Sequence, residues 1–378
     1  MEDKIHKINF LSIDEQNQLF CLSSNIGIKT FNIDDFEEKS SSEDGEYKFG
    51  NISQVNFLSK YENFLVFVGS KKNTEYPPNT INIYNIEEDK LVFTKVFEKE
   101  ITNFKCVSDF IIIAFGKSLI IFLYDLDKNN LELKEEHKIE ETSMFECWEE
   151  KQDQLLNNLY LAFPLEQELI IYYYTIKEWS YGGKLNIISP VYKIQSLFYV
   201  KRLNQIFISD ETAKYIYGID VENGKIKLCL NRGKRPGFIT SVALLDEGKF
   251  LAINNLDRTI HIFDLDIKNN AFSISNVFYG LIYNIQEIYP KMRIKYENIL
   301  EKEEGIFFKN DFSEKGAILY CDNNTDLYVI AYNGIALKIN IDLKNLTYKV
   351  MKKEEYAEKK IKIIRLSDSG CEFEKKKK

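Results

Sequence analysis

One short phrase recurs seven times along the chain, and it constrains the fold more than any other feature. It is a run rich in Ile, Leu, Tyr and Phe that usually closes on Asp or Asn. The copies are IKTFNID from Ile28, INIYNIE from Ile81, LIIFLYDL from Leu119, LIIYYYTI from Leu169, KYIYGIDV from Lys214, TIHIFDLD from Thr259 and IALKINID from Ile335. A second apolar run and a polar turn precede the phrase, as in LFCLSSNIG, FLVFVGSKKN, FLAINNLD and LYVIAYNG. β-Branched and aromatic residues at this density fit strands. Successive starts lie 53, 38, 50, 45, 45 and 76 residues apart. A strand–turn–strand unit of about 40–50 residues cannot bury both faces of its own small sheet, so it must pack against copies of itself. The expectation is an all-β fold, a seven-bladed β-propeller of a divergent WD-repeat type, because the Gly-His and Trp-Asp signposts are missing. A sandwich array or two smaller β domains is the competing arrangement, and it has no ready account of seven similarly ordered units.

The propeller is expected to span 1–356 as one domain. The 76-residue spacing carries a surplus at 267–291, IKNNAFSISNVFYGLIYNIQEIYPK, which reads as a long loop inside blade six. EEKSSSEDGE after Phe36 reads as a solvated acidic loop, and 357–378 as a charged C-terminal tail that adds nothing to the blades.

Composition narrows the chemistry. The net charge of −8 argues against a protein that coats nucleic acid with its whole surface. Three histidines in unrelated segments (His6, His137, His261) leave little room for a His-based metal site or a catalytic triad. There is no G-x-S-x-G, no P-loop and no C-x-x-C, so no enzyme, metal or cofactor is expected. The six cysteines read as reduced thiols of an intracellular chain. No apolar run reaches about 18 residues, and the first ten residues contain no apolar leader. Arginine occurs six times, and two of the six, Arg232 and Arg235, fall within four residues.

Two stretches carry more than fold. VGSKKNTEYPPNTINIYN, from Val68, resembles the second blade of the PROPPIN family through Gly69, Lys72, Asn73 and the Tyr76-Pro77-Pro78-Asn79 turn. LNRGKRPGFITSVALLDEGKFLAINNLDRTIHIF, from Leu230, resembles that family's hallmark Phe/Leu-Arg-Arg-Gly and the strands that follow, keeping Leu230, Arg232 and Gly233. The resemblance runs from about residue 5 to 356. PROPPINs are seven-bladed propellers that bind polyphosphoinositides and serve autophagy. The resemblance therefore implies headgroup binding by Arg232, Gly233, Lys234, Arg235, Asn255 and Thr259. It implies a membrane-inserting loop around Phe278, Tyr279, Leu281, Ile282 and Tyr283, and a partner-docking rim at Tyr76, Pro77 and Pro78, where the family docks an autophagy lipid-transfer protein. The departures are specific. Asn231 replaces the first hallmark arginine, and Ala213 and Ile216 stand where a Thr and an Arg of the same pocket would be. That pocket is expected not to function. In the second pocket Asn254 and Asn255 replace a Ser-Ser pair, and Phe238 takes a Thr position.

Residue chemistry supports both outcomes. The segment 231–237 offers two arginines, a lysine, an amide and two glycines, a set of donors suited to clustered phosphates. The opposing reading pairs Arg232 within the fold and leaves Lys234 and Arg235 on a loop. The apolar stretch 278–289 holds a single acid, Glu287, and is followed by Lys291 and Arg293, which suits a membrane boundary. The opposing reading folds it back onto its own blade. The expected function is a peripheral adaptor. It would recruit autophagy or endosomal partners to autophagic, endosomal or vacuolar membranes carrying phosphatidylinositol 3-phosphate or 3,5-bisphosphate. The alternative is a protein-interaction scaffold that has lost the lipid.

Overall fold

The structure, a computed structural model, describes residues 8–39, 48–61, 63–139, 144–151, 157–233, 237–266, 273–278, 281–295, 317–321, 326–332, 335–355 and 364–365. Every copy of the recurring phrase is the third strand of a sheet: Gly27–Asn32, Thr80–Asn85, Ser118–Asp125, Glu168–Thr175, Tyr215–Asp220, Thr259–Asp264 and Ile335–Asp342. Each sheet is built on four strands, and the fold is all-β, a seven-bladed β-propeller.

The terminal Asp or Asn of the phrase has a local task. Asn85, Asp125, Asp220 and Asp342 each accept backbone N–H bonds from residues two or three further on, closing the turn into the fourth strand. The residue that ends this turn takes a positive φ in Asp89, Asn129, Trp179, Gly224 and Leu346. A tyrosine of the third strand latches it twice, Tyr84 onto Asp89 at 2.5 Å and Tyr124 onto Asn129 at 3.0 Å. The third-to-fourth pairing also carries one register shift in blades two to five and seven, a bulge that raises the twist of the outer strand. Burial follows the same order. The second strands Leu19–Ser24, Phe64–Gly69 and Phe110–Phe115 are buried throughout, whereas the fourth strands Lys90–Val96 and Ser180–Ile188 alternate towards solvent.

The chain divides into two compact units. The first, Met1–Ile239 with Ile267–Pro290, holds blades one to five. Within it, apolar clusters lie between consecutive sheets, each using one face of either blade. First strands of neighbouring blades are stitched by side chains: Asn9 to the Ile52 carbonyl (2.6 Å), Asn56 to that of Phe104 (3.1 Å), and Lys105 to Glu146 (2.7 Å). The second unit, Thr240–Asp266 with Lys291–Lys378, holds blades six and seven around their own cluster. Ser241 and Asn254 both donate to the Ala317 carbonyl there.

Two expectations about segments are corrected. The stretch 267–291 is not simply a loop of blade six. It contains a β-hairpin, Ser273–Phe278 and Leu281–Ile288, and the second arm runs parallel to the fourth strand of blade five, with Cys229 opposite Glu287 and Leu230 opposite Ile288. A fourth strand is the open edge of its sheet, and the hairpin satisfies that edge. Blade six still receives its own fourth strand, Pro290–Lys295. Nor is the segment after 356 free of the blades: Ile364–Arg365 pairs with Lys352 and Lys353 as a short fifth strand of blade seven. The acidic loop after Phe36 lies largely outside the described residues, as do 356–363 and 366–378.

Candidate functional site

The fourth strand of blade five, Ile226–Asn231, delivers the hallmark segment. Arg232 is buried, 3% exposed, and its guanidinium points into the fold. Nε donates to the Ala213 carbonyl and Nη2 to the Thr212 carbonyl, both at 2.9 Å. Its own N–H donates to the Lys214 carbonyl at 2.9 Å. Those acceptors lie on a turn that Asp210 builds. Its Oδ1 receives the Thr212 N–H (2.9 Å), the Thr212 hydroxyl (2.7 Å) and the Ala213 N–H (2.9 Å). Gly237 closes the arrangement: its N–H donates to the Thr212 carbonyl, and a Cβ there would lie 3.5 Å from the Arg232 guanidinium. Arg232 therefore clamps the turn before blade five's third strand. A planar fork suits two adjacent carbonyls as well as it suits a phosphate.

Asn231 turns the other way. Its Nδ2 donates to Glu287 Oε2 (3.0 Å) and to the Tyr289 hydroxyl (3.4 Å), while its Oδ1 accepts from the Gly233 N–H (3.1 Å). Glu287 is 4% exposed and also receives the Tyr289 hydroxyl at 2.8 Å. Ala213 and Ile216, the other two departures, are fully buried. No hydrogen-bond donor replaces them at those positions. Burial and the nearby Glu287 carboxylate together push the Cys229 thiol up to about 12, with burial the larger cause. The hydrogen bond to Glu287 is the first reason that the Tyr289 phenol is raised.

Lys234 and Arg235 lie outside the described residues, as does Tyr279. For Phe278, Leu281, Ile282 and Tyr283 the structure describes the backbone: Phe278 ends one arm of the hairpin opposite Leu281, which begins the other. In the second unit, Asn255 and Thr259 come together across a turn of blade six. Asn255 Nδ2 donates to the Thr259 carbonyl at 3.1 Å, and its buried Oδ1 has no hydrogen-bond partner among the described residues. Phe238 is 42% exposed.

The blade-two segment is built from its own side chains. A Cβ on Gly69 would fall 1.4 Å from the Tyr76 carbonyl oxygen, so the returning backbone crosses where only glycine fits. Asn73 Nδ2 donates to the carbonyls of Phe49 (2.7 Å) and Asn51 (3.2 Å). Its Oδ1 caps the N–H groups of Glu75 (3.1 Å) and Tyr76 (3.0 Å). Asn79 donates to the Phe97 carbonyl at 2.7 Å, and the Pro78 carbonyl accepts from Ile101. Tyr76 packs edge-on against Phe49 and Phe67, and Tyr76, Pro77 and Pro78 are each half-buried.

Sequence reasoning missed the acceptors on the Asp210 turn and the role of Glu287. The signal for Glu287 was its standing as the one acid in an apolar stretch. Among the described residues no group of three or more His, Cys, Asp or Glu side chains is placed to hold a metal. The five described cysteines are free thiols. No described helix is long and apolar enough to cross a membrane.

These features define a seven-bladed β-propeller. The chain is similar to the solved structure of Kluyveromyces lactis Hsv2, at 14% identity and TM-score 0.66, covering 93% of this chain and 99% of that one. It is similar to KlAtg21, solved as a complex with the coiled-coil of AgAtg16, at 14% identity, TM-score 0.64 and the same coverages. Saccharomyces cerevisiae Sqt1 follows at 12% identity and TM-score 0.58, covering 92% of this chain and 86% of that one. At such identities the likeness is one of fold. Hsv2 and Atg21 are propellers of the PROPPIN kind, so the fold that the two motifs implied is the fold observed. No family profile matches the chain.

Proposed function

We propose that this chain is a PROPPIN-type propeller adaptor: a recruitment platform that holds a protein partner at the blade-two rim and meets phosphoinositide membranes through one weakened headgroup contact. The observation that carries this reading is the arrangement at the end of blade five's fourth strand. Leu230, Asn231, Arg232 and Gly233 follow one another there, and the inserted hairpin pairs alongside at Cys229 and Leu230. With Arg232 engaged with carbonyls, this reading assigns the headgroup contact to Lys234 and Arg235, which follow Gly233 in the sequence. A single charged contact plus an apolar insertion around Phe278–Tyr283 is the two-signal logic of reversible peripheral binding. The partner half is supported by the pre-organised Asn73–Asn79 turn and by the solved complex of KlAtg21 with a coiled-coil. The partner, on this reading, is a helical segment of another protein on the same membrane.

One specific feature favours a second reading, a scaffold without lipid: both hallmark positions are engaged inside the fold, Arg232 with carbonyls and Asn231 with Glu287. Vesicle flotation separates the two. The expected result is flotation with phosphatidylcholine vesicles carrying phosphatidylinositol 3-phosphate, reduced at least fivefold in Lys234→Ala/Arg235→Ala with an unchanged melting temperature. Equal flotation with plain phosphatidylcholine overturns the headgroup contact, and no flotation with either vesicle leaves the scaffold reading standing.

A further inference from the structure

Glu287 is a buried carboxylate supplied by an inserted segment to the edge of a different blade. Both groups that bond it are donors, Asn231 Nδ2 at 3.0 Å and the Tyr289 hydroxyl at 2.8 Å, so it acts as an acceptor only. Among the described residues its second oxygen, Oε1, is buried without a hydrogen-bond partner. A carboxylate in such a place is retained at a cost unless it holds something. What it holds is visible in the pairing: Glu287 lies opposite Cys229, next to the Leu230–Ile288 pair, and the Asn231 it receives is in turn bonded to the Gly233 N–H. Ala213 and Ile216 of blade five, both buried, have side chains that carry neither a donor nor a charge. A phosphate approaching this corner would meet a fixed negative charge with its two donors already taken.

We propose that Glu287 is an internal anion: it clasps the inserted hairpin to blade five and, by filling that rim position with the chain's own negative charge, closes it to phosphate groups from outside. The clasp stands independently; the closure to phosphate deepens the headgroup-binding reading and rests on it.

Hydrogen exchange on the full chain tests the clasp. Glu287→Ala is expected to raise exchange of the Leu281–Ile288 amides at least tenfold, Tyr289→Phe about threefold, and Glu287→Gln, which still accepts both bonds, less than either. Unchanged exchange in Glu287→Ala overturns the clasp. The closure is tested with inorganic phosphate and with phosphatidylcholine vesicles carrying 5 mol% phosphatidylinositol 3-phosphate. Asn231→Arg alone is expected to gain nothing, because Glu287 neutralises the new guanidinium, whereas Asn231→Arg/Glu287→Gln gains at least fivefold. A gain with both probes identifies the phosphate group as the ligand, and a gain with vesicles alone identifies the membrane-held headgroup. An equal gain in Asn231→Arg and the double variant overturns the closure. Failure of the unaltered chain to bind vesicles would remove the headgroup reading and leave the exchange result untouched.

Discussion

The blade-two turn and the blade-five rim carry the residues on which the sequence resemblance rests, and the structure uses those residues in different ways. In blade two, Gly69, Asn73 and Asn79 are each accounted for by local geometry: a backbone crossing, a four-bond cap and a strand tether. The matching residues there are a scaffold that presents Tyr76-Pro77-Pro78. In blade five, Arg232 matches the hallmark while its fork clamps the Asp210 turn. A matched residue type reports what the position tolerates; the direction of its donors reports what the position does.

That contrast can be broken by substitution, most severely at Gly69. Gly69→Val forces a side chain into the Tyr76 carbonyl, and the expected loss is about 3 kcal/mol or more of stability in urea unfolding. A loss under about 1 kcal/mol would show that the turn moves aside. Next comes Arg232→Lys, which keeps the charge and loses the fork. If the clamp is the main role, stability falls by about 1.5–3 kcal/mol and exchange of the 210–214 amides rises. A variant of unchanged stability whose vesicle binding drops would assign Arg232 to the lipid instead. Asn73→Ala leaves two carbonyls and two N–H groups to find other partners. Its half-buried site sets the expected loss at about 1–2 kcal/mol, with partner capture weakened and vesicle binding unchanged.

The smallest effect at neutral pH lies away from both rims and serves as their control. His137 bonds the Tyr174 hydroxyl at 2.6 Å and packs at a tilt against the Tyr172 ring, and burial, with Lys184 nearby, lowers it to about 4 from an ordinary value near 6.5. The folded form therefore binds its proton less readily than the unfolded chain does. The contribution is complete above pH 6.5 and is lost progressively as pH falls towards 4. His137→Phe should flatten thermal stability between pH 6.5 and 4 while leaving vesicle and partner binding at pH 7.4 unchanged. A profile as steep as that of the unaltered chain would assign the acid sensitivity to carboxylates.

The repeat was legible because its cause is local. Every apolar phrase became a third strand, and in blades two, three, five and seven the Asp or Asn at its end became the cap of the next turn, since both depend on residues within a few positions of one another. The surplus at 267–291 was legible as an insertion but not as a hairpin on blade five, because its pairing joins residues some 58 apart in the sequence, Cys229 with Glu287 and Leu230 with Ile288. The strand Ile364–Arg365 was missed for a similar reason: a charged stretch carries no apolar period, and pairing to Lys352 and Lys353 is an edge event. That Asn stands at position 231 could be read directly; that its amide donates to Glu287, 56 residues away, could not.

Periodicity and turn chemistry alone specified the class of fold, the number of blades and the position of the two unusual segments. Where Arg232 and Asn231 send their donors was decided by tertiary structure. An arginine fork binds a carbonyl pair or a phosphate with the same geometry, and only the atoms that the rest of the chain brings within about 3 Å select between them.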